Sequence, residues 1–379
     1  MEKKLFTPFI TRGIAVPNRI IVSPMGQYSA SDGMANDWHM VTYGKYAQGR
    51  PGMVIVESVA VSENGRGSWG DVGLWRDDQI EPLSKIVRFI ESQRVIPAVQ
   101  LFHAGRKAAT QRPWEGYKPL SSLPEAKGSS PWLVVGPSAL KHTAEASVPH
   151  ELNHHEIESI IDDFCCAAKR AVLAGFKVLE LHAAHGFLLH QFLSPLSNQR
   201  EDQWGGDGIK RMAFPLEVIK RVRAVIPDDV ALWLRVSATD DAEGGRNFDD
   251  TLQFVNEASN SGIDLIDCSN GGYASDRHPG VKRDYGYLVH FAAAIKKQIN
   301  IPSMAVGLIT DAHQAEMILQ QNSADLIGIA REMINDPNWA LHAREKLQGD
   351  SFSAWPPEFG WWLEKRSHTL SELKPLKNN

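Results

Sequence analysis

The sequence predicts an α/β protein folded as a single (β/α)8 barrel, and three observations predict it. Short runs rich in Val, Ile and Leu alternate with segments of helical periodicity along the 379 residues, as repeated strand–helix units require. Eight such runs are present, the number that closes a barrel of this kind. Finally, Ser23, Glu57, Ser58, Gln100, His103, His182, Arg235, Ser269, Asn270, Gly307 and Arg331 stand at the C-terminal ends of different runs. A closed barrel gathers those ends on one face, where its active site lies. A doubly wound open sheet, the alternative at this strand count, spreads them apart.

The strands read, in order, RIIVSPM from residue 19, GMVIVES from 52, VIPAVQLFH from 95, FKVLELH from 176, VALWLRVSA from 230, IDLIDCSN from 263, IPSMAVG from 301 and ADLIGIAR from 324. The clearest helix carries Ile157, Ile160, Ile161, Phe164, Ala168, Ala171 and Val172 at helical spacing, a stripe suited to lying on a barrel. No low-complexity linker divides the chain, so residues 1–379 form one domain. Residues 103–150, dense in Ser, Pro and Gly, are too long for a plain connection and read as a lid. The C-terminal segment, 352–379, opens with FSAWPPEFGWWLEKR, whose aromatic residues are expected to cover something.

Composition excludes several classes. Lys and Arg number 40 against 45 Asp and Glu, a net charge of −5, with no block of like charge to grip nucleic acid or an anionic membrane. The three cysteines, Cys165, Cys166 and Cys268, cannot build a disulfide framework or a four-thiolate zinc site. No run of 18 apolar residues and no signal-peptide core occur, so the expectation is a soluble cytoplasmic protein acting on a small molecule.

Two motifs match chemical signatures and fail on context. Gly65-Arg66-Gly67-Ser68-Trp69-Gly70 spells G-x-G-x-x-G, but a dinucleotide fingerprint needs a helix opening at its third glycine, and here the next helix is expected near Asp77 or Asp78. His150-Glu151-Leu152-Asn153-His154 spells the H-E-x-x-H zinc pattern, which needs both histidines on one continuous helix. Asn153 with Glu156 instead reads as an N-cap and capping box, so the helix starts inside the motif.

His182 and His185, three residues apart where the fourth strand ends, are spaced to donate to a common oxygen. Taken alone, such a pair serves as readily in a structural role or as metal ligands. Their company is more specific. PNRIIVSPMGQYSASDGMANDWH at 17–39, VQLFHAGRKA at 99–108, HAAHGFLLHQFLSPLSNQR at 182–200, Arg235 at a strand end, CSNGG at 268–272, AVG at 305–307 and IAR at 329–331 occur in this order. With them the chain closely resembles the Old Yellow Enzyme family of FMN-dependent NAD(P)H oxidoreductases, in its branch of xenobiotic reductases and thermostable ene-reductases.

The resemblance implies a TIM barrel with non-covalent FMN at its C-terminal mouth and NAD(P)H as electron donor. The flavin ring is expected on Pro24, Met25 and Gly26 and near Ala60, with Gln100 at its pyrimidine edge and Arg235 facing N1 and C2=O. A cation there stabilises the charge that accumulates on reduction. Buried pairing of Arg235 with a carboxylate is the alternative. The phosphate is expected at Gly307, Ala330 and Arg331, and no metal is implied. His182 and His185 then hold the oxygen of a ligand stacked on the flavin, and one site serves both half-reactions in ping-pong fashion. Members of this branch are oligomers, so a homodimer or homotetramer is expected in which Trp361 and Trp362 reach toward a neighbour's substrate pocket, with a lid on the same chain's pocket as the alternative.

Three positions depart from the branch. Gly26 replaces a cysteine beside the flavin and is expected neither to donate a hydrogen bond nor to fill that space. Phe187 replaces the tyrosine that serves as proton donor, leaving Tyr28 or water to supply the proton. Val306 replaces a tryptophan at the flavin edge. The expected activity is ene-reduction of an activated C=C or nitro compound. The same scaffold running oxidatively, as a dehydrogenase or demethylase, is the nearest alternative; a metal-dependent barrel lyase or hydrolase and a non-catalytic binding barrel are the alternatives from other classes.

Overall fold

The computed structural model describes residues 3–120, 130–273, 283–349 and 352–373. Eight parallel strands close a barrel in sequence order: β1 (Ile20–Val22), β2 (Met53–Ala60), β3 (Ile96–Phe102), β4 (Val178–Ala183), β5 (Ala231–Ser237), β6 (Leu265–Ser269), β7 (Ser303–Ala305) and β8 (Leu326–Ile329). Six lie within their predicted runs, while β2 extends two residues and β4 one residue past theirs. A helix follows every strand: α1 (Asp37–Gln48), α2 (Ile80–Ser92), α3 (His154–Ala174), α4 (Gly208–Val225), α5 (Phe248–Asn260), α6 (Val289–Ile299), α7 (Ala312–Gln320) and α8 (Trp339–Gln348).

The two faces of the strands bury different things. Outward residues such as Val54, Val99, Leu179, Leu232 and Ile266 pack against the helices in one continuous core. Inward residues alternate with them in layers. The lower layer is apolar, with Ile21, Met53, Ile55, Ala98, Val178, Trp233, Leu265, Met304 and Leu326 in a single cluster. It is floored by an antiparallel hairpin, Phe9–Thr11 with Ile14–Val16. One residue pair higher, the inward positions become polar: Gln100, Glu180, Arg235 and Asp267, all buried. Register sets this level, because Gln100 pairs with Glu180 and Asp267 with Arg235 across neighbouring strands. In β2 a bulge between Val56 and Ser58 breaks the alternation, so Ser58 joins the inner layer opposite Gln100 while Glu57 turns toward Tyr43 of α1.

Helix α3 confirms its cap. The Asn153 side chain accepts from the Glu156 N–H at 3.0 Å and Glu156 accepts from the Asn153 N–H at 2.7 Å, so the helix begins at His154 and the zinc-like motif is divided between a short strand and a helix start. Among the described residues no helix is long and apolar enough to cross a membrane.

The excursion at 103–150 lies partly over the loop after β2: Thr110 bridges Ser68 and Pro119, and Gln111 N–H donates to Lys118 O at 2.9 Å. Its residues 121–129 lie outside the described residues, as do 374–379 of the C-terminal segment. The rest of that segment forms a helix, Pro357–Ser371, with Trp361 and Trp362 edge to face at 4.5 Å and 54% and 66% exposed.

Candidate active site

Two cavities open where the strands end, and Arg235 lines both. The larger, about 360 Å³, is bounded by Ser23, Ser269, Val306, Gly307, Leu308, Ala330 and Arg331 among others. The smaller, about 260 Å³, is bounded by Pro24, Gly26, Tyr28, Glu57, Ser58, Asp71, Gln100, Tyr117, His182, His185 and Phe187 among others. Residues predicted at the strand ends are thus brought together from all eight strands or the turns directly after them. Met25 packs against the outer core and Ala60 belongs to an apolar cluster with Phe102 and Ala104; neither lines these two cavities. Trp361 and Trp362 do not line them either.

Arg235 makes the buried carboxylate pair that is the alternative reading of it. Its Nε is 3.0 Å from Asp267 Oδ2, a buried ion pair, yet the guanidinium still faces both cavities. Glu180 lies beside this pair and accepts from Gln100 Nε2 at 2.7 Å; the other end of the Gln100 amide accepts from Ser58 Oγ. Burial pushes Glu180 up to about 8, with the neighbouring Asp267 charge adding to the rise, and burial raises Asp267 against the pull of Arg235. Two adjacent carboxyls in a water-poor interior each oppose ionisation of the other.

The histidines face each other, with His182 Nε2 3.3 Å from His185 Nδ1. Their outer nitrogens fix the tautomers. His182 Nδ1 accepts from the Ala184 N–H at 3.3 Å, which leaves the proton on Nε2. The His182 Nε2–H donates to His185 Nδ1, so the His185 proton sits on Nε2, 2.8 Å from Ser269 Oγ, which accepts it. Burial, reinforced by nearby Arg235 and Lys107, holds both rings far below the usual histidine range, so they are neutral donors. His185 adopts a left-handed backbone, φ 59°, a strained conformation for a residue with a side chain. Its N–H is held by Ser237 Oγ at 3.0 Å and its carbonyl by Lys107 Nζ at 2.9 Å. Beneath it, His190 accepts from the Gly186 N–H and pairs with Asp240 at 2.7 Å, fixing the turn that carries Phe187.

Phe187 packs on His182, Phe102 and the Lys107 ammonium, at 4.8, 5.2 and 5.0 Å between centres. The space at Gly26 is not empty as expected. A Cβ there would lie 3.0 Å from Tyr28 Cζ and 3.2 Å from its hydroxyl, so the Tyr28 ring fills the volume that a side chain at 26 would take. The G-x-G-x-x-G loop binds a carboxylate of its own chain: Asp71 accepts from the Gly67 N–H at 2.8 Å, the Ser68 N–H at 3.2 Å and Ser68 Oγ at 2.7 Å. Among the described residues no group of three or more His, Cys, Asp or Glu is arranged to hold a metal ion.

Sequence reasoning missed Glu180, Asp267, Asp71, Lys107 and Tyr117. The first two carried a signal, being acidic residues inside otherwise apolar strands; Tyr117 carried none.

The residues present fit a flavin mononucleotide. Ser23 Oγ is buried without a protein partner beside the larger cavity, and Gly307, at φ 105°, holds a backbone conformation that other residues rarely adopt. The pattern of the NADH:flavin oxidoreductase / NADH oxidase family matches residues 4–350. The NADPH dehydrogenase of Bacillus subtilis is 38% identical over 363 residues, covering 95% of this chain and 100% of that one. The NADPH dehydrogenase of Bacillus velezensis is 40% identical over 349 residues, covering 92% and 96%. Among solved structures, morphinone reductase superposes with a TM-score of 0.74 at 26% identity, covering 90% of this chain and 89% of the other. On this evidence the chain belongs to the NADH:flavin oxidoreductase / NADH oxidase family, the Old Yellow Enzyme family, and is an FMN-dependent NAD(P)H oxidoreductase.

Proposed function

We propose that the protein is an ene-reductase: it takes hydride from NAD(P)H and delivers it to the electron-poor carbon of an activated C=C, the two substrates occupying one site in turn. The observation that carries this reading is the pair of neutral imidazoles, His182 Nε2 and His185 Nδ1 meeting at 3.3 Å in the cavity that Arg235 also lines, where a ligand oxygen entering between them would meet both as donors. Such preorganised donors stabilise negative charge where it develops on a substrate carbonyl. FMN, when bound, supplies the hydride relay. Arg235 and Gln100 would hold the polar edge of its ring, the backbone at Pro24–Gly26 and the Ala60 region its other edges, and Gly307, Ala330 and Arg331 its phosphate.

Tyr28 supplies the proton. The carboxyls of the smaller cavity are committed: Glu57 accepts from the Gln27 N–H at 2.8 Å and Tyr43 OH at 2.9 Å, and Asp71 from three donors. Burial raises the Tyr28 phenol above its ordinary value, so its proton is retained until a basic carbon develops beside it. Phe187, which has no proton to give, favours one second reading, an oxidative one in which the same site removes hydride from a saturated substrate. A copy of the chain would bring Trp361 and Trp362 to this pocket; Glu358, at the start of their helix, acts on Arg50, which precedes β2 at the opposite end of the barrel.

Anaerobic reduction with NADPH or NADH, followed by 2-cyclohexenone, a nitro compound and saturated ketones or amines, tests the reading. Reoxidation by the enone is expected, and it should be lost in the His182→Ala/His185→Ala double variant. Reoxidation by none of the acceptors, with reduction by an amine or ketone instead, would establish the oxidative reading.

A further inference from the structure

The turn that carries His185 is held by side chains from three segments. His185 at φ 59° and Gly186 at φ 73° are two successive residues in the left-handed region, an arrangement that persists only where the surroundings impose it. The His185 N–H donates to Ser237 Oγ at 3.0 Å. From the short helix that follows, Leu188–Leu193, His190 Nδ1 accepts from the Gly186 N–H at 3.0 Å and Gln191 Nε2 donates to the Gly186 carbonyl at 2.7 Å. The remaining group, the His185 carbonyl, accepts from the Lys107 ammonium at 2.9 Å.

That ammonium also holds a second backbone. Its Nζ donates to the Gly272 carbonyl at 2.8 Å, so one cation joins the turn after β4 to the loop after β6. The two backbones are pressed together at this point. A Cβ at Gly272 would lie 3.1 Å from His185 Cβ, and one at Gly186 would lie 3.0 Å from the Gly272 oxygen. The end of β6 touches the imidazole too, through Ser269. The base of Lys107 is tied to the same turn: Gln191 Oε1 accepts from the Arg106 N–H at 3.1 Å, and Gln191 Nε2 donates to Ala104 O at 3.0 Å as well as to Gly186. Over the ammonium lies the Phe187 ring, at 5.0 Å.

We propose that Lys107 is the positioning residue of His185: by clasping the two carbonyls it holds the imidazole 3.3 Å from His182, where one ligand oxygen can meet both rings. Without the clasp the His185 carbonyl loses its partner, and a carbonyl left unpaired away from water is costly. Turning it toward another donor turns the imidazole with it, since both are attached to one Cα. The inference rests on the reading of His182 and His185 as ligand donors.

Titration of the oxidised holoenzyme with 4-hydroxybenzaldehyde in a double-variant cycle tests it. Lys107→Met should weaken binding about tenfold, the lower end of what a charge-assisted hydrogen bond supports. In the His185→Ala background the same change should cost less than about twofold, because a residue that acts through His185 has nothing left to position, whereas general destabilisation would add equally in both backgrounds. Lys107→Arg, which keeps a cation with N–H groups for both carbonyls, should recover most of the loss. If Lys107→Met does not retain FMN, Gly272→Ala carries the test from the other backbone: its methyl would meet His185 Cβ at 3.1 Å and should weaken the phenol in the wild-type background but not in His185→Ala. Unchanged affinity in Lys107→Met, or the same loss in the His185→Ala background, overturns the clasp. Wild-type affinity in the His182→Ala/His185→Ala double variant means instead that the reading of the pair as ligand donors fails.

Discussion

Ser269→Ala isolates the hydroxyl that sets the His185 tautomer. In the structure Ser269 Oγ lies 2.8 Å from His185 Nε2; its hydroxyl can turn to donate to that nitrogen, which lets Nδ1 donate to a bound phenolate beside His182 Nε2. A hydrogen bond to a charged group contributes about 1.5–3 kcal/mol, and 1.4 kcal/mol is a factor of ten. Losing the His185 donor altogether, as in His185→Ala, should therefore weaken a bound phenolate by roughly ten- to a hundredfold. Ser269→Ala keeps the ring and removes only its preference, so its loss should stay at about tenfold or below. The assay is titration of the oxidised protein with 4-hydroxybenzaldehyde, followed by the long-wavelength charge-transfer band, at equal flavin content. Wild-type affinity in Ser269→Ala together with a loss in His185→Ala would refute the tautomer argument. Wild-type affinity in both, and in the double histidine variant, would remove the pair from ligand binding.

Heat or acid should release one FMN per chain, because no residue pattern in the sequence suggests covalent attachment; recovery of FAD or a retained chromophore would contradict it. Light scattering at micromolar concentration should give a dimer or a multiple of one, and Trp362→Ala should weaken substrate binding through the neighbouring copy; a strict monomer sinks this. Burial pushes Glu57 up from an ordinary 4.5 to about 8. Its contribution to stability is thus complete below the lower value and is lost as pH rises through about 8, and Glu180 has the same sign. Unfolding free energy should fall between pH 5 and 8, and less steeply in Glu57→Gln; equal slopes refute the assignment. Phe187→Tyr should raise enone turnover by part of the 10²- to 10⁴-fold typical of general acid catalysis, and an unchanged stopped-flow rate would show that Tyr28 already meets the demand.

The strand runs, the helix order and the start of α3 were legible in the sequence because each is set by neighbours a few residues away: apolar period, capping side chains, the absence of a helix after Gly70. The gathering of Arg235, His182, His185 and Gln100 on one face followed from strand ends alone, since a closed parallel barrel leaves them nowhere else. What only the tertiary structure decided is where side chains separated by long stretches of chain meet. The register of β5 on β6 pairs Arg235 with Asp267, the bulge in β2 turns Glu57 away from Ser58, and the excursion brings Tyr117 to the cavity that Tyr28 lines. A one-residue shift in any strand would exchange its inward and outward sets. The hydrogen-bond partners of the histidines, the occupant of the Gly26 space and the absence of Trp361 and Trp362 from the two cavities at the strand ends are consequences of that packing, for which local pattern carries no signal.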